Sequence, residues 1–252
     1  MMRFHDDALD EMAGAKSSSK RRINKAILEI LTLANAYRSD GGDFSFDMHP
    51  EFDEEVDRIL IAMSDGLLQD AERRARKLLA LLELEEDEID ETIADAESGE
   101  HGLQWALDMH ASNLKALLGV WIALMFAKDL TVNKTFTHAI AYMNAPEASP
   151  LWREAVRARI VDPNEVRFGR GYQRRIPDAV AVLMQTFIYT AFTKGYIRKG
   201  GKDGAIGYRT FRQSNYDCAM CDSLTKRVWP IDEAVIPAHP RCVCGIELVF
   251  PD

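Results

Sequence analysis

The sequence lacks the segments that mark export and membrane insertion. Its start, MMRFHDDALDEMAGAKSSSKRR, has acidic residues where a secretory signal has a basic stretch followed by an apolar one, so we expect cytoplasmic synthesis without export by that route. The most apolar run, residues 116–127, is about 12 residues long, whereas roughly 20 are needed to cross a bilayer as a helix. We interpret this run as a buried helix and expect no membrane partner.

Recognisable catalytic motifs are also missing. The glycines of residues 200–207 do not follow the G-x4-G-K-[ST] order of a phosphate-binding loop, and the chain contains no H-E-x-x-H. His49-Pro50-Glu51 fits the H-x-E half of a zinc deaminase signature, but Asp217 rather than proline precedes Cys218. The sequence therefore predicts a protein that is not an enzyme.

Positive charge is scarce overall and concentrated late in the chain. The net charge is −9, with ten carboxylates and no Lys or Arg in residues 82–100, whereas residues 152–227 hold 15 basic and 7 acidic residues. This deficit argues against general nucleic-acid coating, because Lys and Arg supply most phosphate affinity. A local basic face remains a hypothesis: residues 169–175 and the cations Lys194, Arg198, Lys199 and Lys202 would meet DNA or an acidic protein surface, or else form a solvated loop.

Apolar residues recur at helical spacing through most of the chain. The pattern predicts an N-terminal arm over about residues 1–17, a helix that begins after Ser17–Ser19, and one broken helix or two over residues 56–82. The acidic run at residues 83–97 is predicted to be a solvated helix with a thin apolar stripe. Further helices are expected at residues 103–128, 136–143, 151–160 and 178–195. Residues 1–150 thus form a helical body in this interpretation.

The pattern changes after residue 199. Residues 208–212 alternate in the manner of a strand, and residues 245–250 are able to pair with them. The predicted fold class is mainly α with a small α+β, zinc-stabilised C-terminal module over about residues 205–252.

The zinc prediction depends on the four cysteines, all of which lie in the final 35 residues. Cys218-Ala-Met-Cys221 is followed by a 17-residue insert and then by His239-Pro-Arg-Cys242-Val-Cys244. A C-x2-C turn directs two thiolates at one ion, a second pair completes a tetrahedron, and Zn²⁺ suits sulfur and nitrogen ligands. The predicted ligands are Cys218, Cys221, His239 and Cys242, and the zinc is structural.

Several alternatives remain open for these residues. Cys244 either replaces His239 as a ligand or lies outside the site as a buried thiol. Disulfides are less consistent with the absence of a signal peptide, and unligated core cysteines are less consistent with such tight grouping. A Cys244 nucleophile with His239 as its base lacks a third, orienting group.

At these residues the chain resembles the phage Mu F-like minor head proteins, the phage head morphogenesis family. That family ends with a C-x-x-C knuckle, a short L-x-G-K turn, a proline-containing insert and an H-P-x-C-x-C close. The matching residues, in order, are Cys218, Cys221, Leu224, Lys226, Val228, Pro237, His239, Pro240, Cys242 and Cys244. Gly207-Tyr208-Arg209-Thr210 and Arg212 resemble the strand that leads into the motif. The turn lacks its usual glycine, and Val243 stands where arginine is common.

The resemblance covers about residues 180–250 and implies a structural role. On this basis residues 151–252 form a head-morphogenesis-like region, and residues 1–150 are an unmatched, adaptor-like body. The implied function is that of a minor head protein of a tailed phage or prophage, located inside the capsid and partnered by portal, capsid or scaffold proteins. The alternatives are a zinc-dependent nucleic-acid-binding protein and a prophage-encoded toxin.

Overall fold

The computed structural model describes residues 2–38, 50–98, 102–144, 176–212, 218–225, 227–233, 235 and 244–251. Within these ranges the protein is mainly helical, with one small antiparallel sheet near the C-terminus, which confirms the predicted fold class. The helices are α1 (Met2–Ala36), α2 (Pro50–Leu81), α3 (Glu86–Glu97), α4 (Leu103–Ala127), α5 (Val132–Asn144), α6 (Ile176–Lys202) and α7 (Ala219–Leu224). The strands are β1 (Gly207–Phe211), β2 (Val228–Pro230) and β3 (Gly245–Val249).

The sheet has the order β2-β1-β3, with both pairings antiparallel. Tyr208 in β1 stands opposite Trp229 and Leu248, and this row packs on Ile197 of α6. The predicted pairing of residues 208–212 with 245–250 is confirmed, whereas the three-residue β2 was not predicted. A strand this short carries no alternation that a sequence pattern could detect.

The predicted N-terminal arm is wrong, because α1 begins at Met2 rather than after Ser17–Ser19. Ala8 and Ala15 are fully buried and Met12 is 6% exposed, so small side chains and a methionine supply the buried face of this part of the helix. Ser19 is fully buried inside α1 and does not cap its start. The sequence pattern missed the segment because alanine contributes little to an apolar period.

Helix α6 extends to Lys202, seven residues beyond the predicted end near Gly195. Glycine usually ends a helix, but Gly200 is needed here for a close approach, since a Cβ at this position would lie 2.4 Å from Leu248 Cδ2. Packing of β3 against the last turns of the helix therefore outweighs the helix-breaking tendency of glycine.

The acidic run forms α3, as predicted. Its buried residues are Ile89, Thr92 and Ile93, which make the thin apolar stripe, and its carboxylates lie on the remaining faces. Residues 56–81 belong to one continuous helix, α2, rather than to the broken helix or the two helices that were predicted. The predicted helix at residues 151–160 lies outside the described residues.

The chain divides into two compact units. The first comprises Met1–Ser18, Leu68–Gln104 and Ala181–Asp252, and the second comprises Ser19–Leu67 and Trp105–Val180. The predicted domain boundary at residue 150 lies outside the described residues. The units combine segments that are far apart in sequence, and each is considered separately below.

The second unit contains a large aromatic and aliphatic core. Trp121 of α4 is fully buried and meets Tyr142 of α5 edge to face, with ring centroids 5.7 Å apart. Leu117, Leu118 and Ile122 are at most 1% exposed, which confirms that residues 116–127 belong to a buried helix.

Two helices, α4 and α6, are long and apolar enough to cross a membrane by length and composition alone. Of their most apolar windows, 50% and 67% respectively are buried inside the protein. Core helices show burial of this kind.

The first unit contains a largely buried charge network. Arg74 bridges Glu11, at 2.8 Å, and Asp70, at 3.1 Å, and the three side chains are 14%, 12% and 5% exposed. Burial by itself raises the pKa of both carboxyls. Hydrogen bonds outweigh that effect: Lys77 and Arg74 donate to Glu11. Ser18, Arg73 and Arg74 donate to Asp70. Both pKa values therefore lie below their ordinary range, and both groups are held as carboxylates.

Candidate metal centre

The C-x2-C knuckle begins at the N-terminus of α7. Cys218 is the N-cap residue, in an extended conformation, and its Sγ accepts a hydrogen bond from the Cys221 backbone N–H at 3.5 Å. A six-residue helix is too short to be stable by itself, so its neighbours must hold it. Arg212, just after β1, pairs with Asp222 at 2.7 Å, and the Trp229 indole N–H donates to the Leu224 carbonyl at 3.0 Å. These contacts fix the knuckle to β1 and β2.

The structure brings three of the candidate ligands together. Cys221 and Cys244 are 1% and 2% exposed and form one buried cluster, and half-buried Cys218 packs against it. Cys244 reaches the cluster because it directly precedes β3, whose first residue, Gly245, pairs with Phe211 at the end of β1. Within the described ranges these three cysteines form no disulfide with one another. The other two candidates, His239 and Cys242, lie outside the described residues.

Packing of the cysteine side chains against one another does not by itself give the geometry of a metal site. Within the described ranges, no group of three or more His, Cys, Asp or Glu side chains is arranged to hold a metal ion. The predicted tetrahedral site also draws ligands from residues 236–243, which the structure does not describe. The donor chemistry of Cys218, Cys221 and Cys244 suits zinc, because clustered thiolates are its preferred ligands.

A tyrosine that the sequence analysis did not single out supports the cluster. The Tyr189 hydroxyl, on α6, donates a buried hydrogen bond of 2.6 Å to the Cys244 carbonyl. Tyr189 begins a row of rings along α6, with centroid distances of 6.1 Å to Phe192 and 6.2 Å from Phe192 to Tyr196. The apolar spacing of residues 178–195 predicted a helix there, but nothing in it identified the partner of the hydroxyl.

The insert between the two cysteine turns, residues 222–238, is held in its second half by Tyr208. The Tyr208 hydroxyl donates to the Glu233 carbonyl and accepts from the Val235 backbone N–H at 3.0 Å. The Arg227 guanidinium lies 3.5 Å from the Trp229 ring centroid, in a cation–π contact at the start of β2. These contacts set the direction in which the chain leaves β2 toward the H-P-x-C-x-C segment.

The basic residues singled out on α6 all have acidic or carbonyl partners inside the protein. Lys194 donates to the Asp95 carbonyl at 2.6 Å, and Lys199 pairs with Asp203 at 2.7 Å. Arg198 pairs with Glu91, and Lys202 with Glu88. The Gly- and Arg-rich residues 169–175 lie outside the described residues. Contact with DNA stays a prediction.

The chain has no match among protein-family models, curated proteins or solved structures.

Proposed function

We propose that this protein is a structural minor head protein of a tailed phage or prophage, acting in head assembly near the portal and located inside the capsid. The observation that carries the proposal is the cluster of Cys218, Cys221 and Cys244, which joins the two cysteine turns resembling the family's motif. A structural zinc bound there would cross-link the knuckle to the segment before β3. Small modules with little apolar core gain much of their stability from such a metal.

The ligand set in this proposal is Cys218 and Cys221 from the knuckle, with Cys242 and either His239 or Cys244 from the closing turn. Burial of Cys244 in the cluster supports its candidacy as a ligand, while the family-like H-P-x-C spacing supports that of His239. The function requires no reaction chemistry, so the metal serves only to hold the module that partners recognise.

Elemental mass spectrometry of the purified chain tests the metal. We expect one zinc per chain in the parent and loss of zinc in Cys218→Ser. Parallel His239→Ala and Cys244→Ser variants identify the fourth ligand as the one whose change releases zinc. Met220→Ser is the matched control, since Met220 lies between the knuckle cysteines and is 53% exposed. A metal-free parent with intact thiols would remove zinc from the proposal.

Head assembly is tested in the phage or prophage that encodes the chain. We expect the protein in purified particles, protected from added protease until the heads are opened, and recovered with the portal protein when either is tagged. Particles of normal composition that lack the chain would contradict the proposal. Growth arrest of the host on expression alone would favour the toxin alternative.

A further inference from the structure

Helix α6 carries a row of three cations on one face. Lys194, Arg198 and Lys202 are spaced four residues apart, so they point in nearly the same direction, with a rise of about 6 Å between successive members. Their side chains remain partly open to solvent, with Arg198 29% and Lys202 53% exposed. A row of positive charges along a helix is complementary to the negative charge of a nucleic-acid backbone.

Carboxylates and backbone carbonyls of helix α3 pair with the three cations of this row. Arg198 pairs with Glu91 Oε2 at 2.9 Å and donates to the Glu88 carbonyl at 3.1 Å. Lys202 pairs with the Glu88 carboxylate, whose pKa is lowered mainly by the hydrogen bond from Lys202. Lys194 donates to the Asp95 carbonyl, near the C-terminus of α3. The three cations therefore contact α3 over most of its length.

An apolar stripe holds α3 in place alongside its carboxylates. Ile89, Thr92 and Ile93 are each at most 7% exposed, and this stripe anchors the helix, whereas the Glu91 side chain is 72% exposed. An ion pair as open to solvent as Arg198–Glu91 contributes little to folding stability. The Glu88 side chain is 15% exposed, and it also accepts the Glu85 backbone N–H at the start of α3. Both carboxylates neutralise the cationic row and place negative charge where a phosphate would bind.

We propose that the Lys194, Arg198 and Lys202 row is a binding surface for the DNA backbone, and that Glu88 and Glu91 of α3 limit its affinity by occupying it. The side chains of Arg198 and Lys202 exchange carboxylate for phosphate partners while α3 stays docked on its apolar stripe. DNA is favoured over an acidic protein because it carries one negative charge per about 1.7 Å of its axis, a density that gives each cation of the row a phosphate partner. The inference uses contacts between α3 and α6 alone, and so does not depend on the role proposed in the phage head.

Binding of the full chain to a fluorescent double-stranded DNA fragment, measured by anisotropy over a range of salt concentrations, tests the proposal. We expect the Glu88→Gln, Glu91→Gln double variant to bind DNA at least about tenfold more tightly at low salt. The slope of log K against log salt should become more negative by about two, one for each cation that gains a phosphate partner. Glutamine at position 88 is still able to accept the Glu85 backbone N–H, so the start of α3 is retained.

The matched control removes equal charge from the same helix. Glu86 and Asp90 pair with Arg76 of α2, at 3.1 and 2.6 Å, so Glu86→Gln with Asp90→Asn leaves the α6 row occupied. This control should gain much less affinity. Adding Lys194→Gln, Arg198→Gln and Lys202→Gln to the Glu88 and Glu91 variant should abolish its gain. Equal affinities of the two double variants, or a gain that survives loss of the cations, would overturn the proposal. Thermal melts confirm that each variant is folded.

Discussion

The Tyr189 hydroxyl donates a buried hydrogen bond of 2.6 Å to the Cys244 backbone carbonyl, across 55 residues of sequence. The bond fixes the residue just before β3 against α6, and that residue belongs to the cysteine cluster. A buried carbonyl that loses its partner keeps the cost of its lost hydration, so this contact matters more than its own strength suggests.

Replacing Tyr189 with phenylalanine should therefore destabilise the protein by about 1–3 kcal/mol, because the Cys244 carbonyl is left buried without its donor. Urea denaturation measures the change. The control is Tyr196→Phe, whose hydroxyl makes no hydrogen bond in the described part of the chain and which should shift the midpoint little. Equal effects of the two changes would show that the Tyr189 hydroxyl is not what holds β3.

An alanine at Gly207 should weaken the sheet. Its Cβ would lie 2.5 Å from the Trp229 carbonyl oxygen, and a backbone atom in a paired strand is not free to move away. We expect a loss of about 1–3 kcal/mol in the free energy of unfolding, as for other overpacked sites. Gly201→Ala is the control, because its Cβ would meet only Ile231 Cγ1, at 3.4 Å, and alanine favours the helix. Gly201→Ala should be neutral or stabilising, and a Gly207 variant as stable as the parent would contradict the pairing of β1 with β2.

Replacing Arg74 with methionine should cost about 2 kcal/mol or more near neutral pH, because Glu11 and Asp70 lose their shared, largely buried partner. The pKa values of both carboxyls lie below their ordinary 4.5 and 3.8. The stability that they contribute is therefore present above those values and lost as pH falls through the lower folded pKa values. Denaturation between about pH 7 and 3 should show a flatter acid limb in the variant than in the parent.

Arg73→Met is the comparison for Arg74, since its side chain is 63% exposed and also pairs with Asp70. It should lose no more than about 1 kcal/mol, as is usual for exposed pairs. Similar losses in both variants would mean that the bridge between Glu11 and Asp70 is not what stabilises the first unit.

His110 should give the protein a second pH dependence, nearer neutrality. Burial lowers its pKa below the ordinary 6.5, and its Nδ1 is buried without a hydrogen bond in the described structure. As pH falls, His110 is protonated in the unfolded chain before it is protonated in the folded one. The contribution of neutral His110 to the free energy of unfolding is therefore fully present above pH 6.5 and is lost as pH falls through the lower folded pKa. His110→Leu should flatten the curve of stability between about pH 7 and 5. An unchanged slope in that range would assign the dependence to another group.

Much of the local structure followed from the sequence because it depends on neighbours a few residues apart. Alternation predicted β1, and residues 245–250 were predicted to pair with it. The spacing of Ile89 and Ile93 predicted an acidic helix with one buried edge. The failures have a physical cause too. The start of α1 was not predicted because Ala8 and Ala15 are buried yet barely apolar. The end of α6 was placed too early because Gly200 serves packing and does not end the helix.

The sequence by itself determined the helical class, the charge asymmetry and the clustering of all four cysteines near the C-terminus, since composition and short-range spacing carry that information. Only the tertiary structure decided that Cys244 packs with Cys218 and Cys221, that Tyr189 holds the Cys244 carbonyl, and that α3 occupies the cations of α6. Such contacts join residues from about 20 to over 100 positions apart. Their formation depends on which faces of distant elements bury each other, and no local pattern encodes that choice.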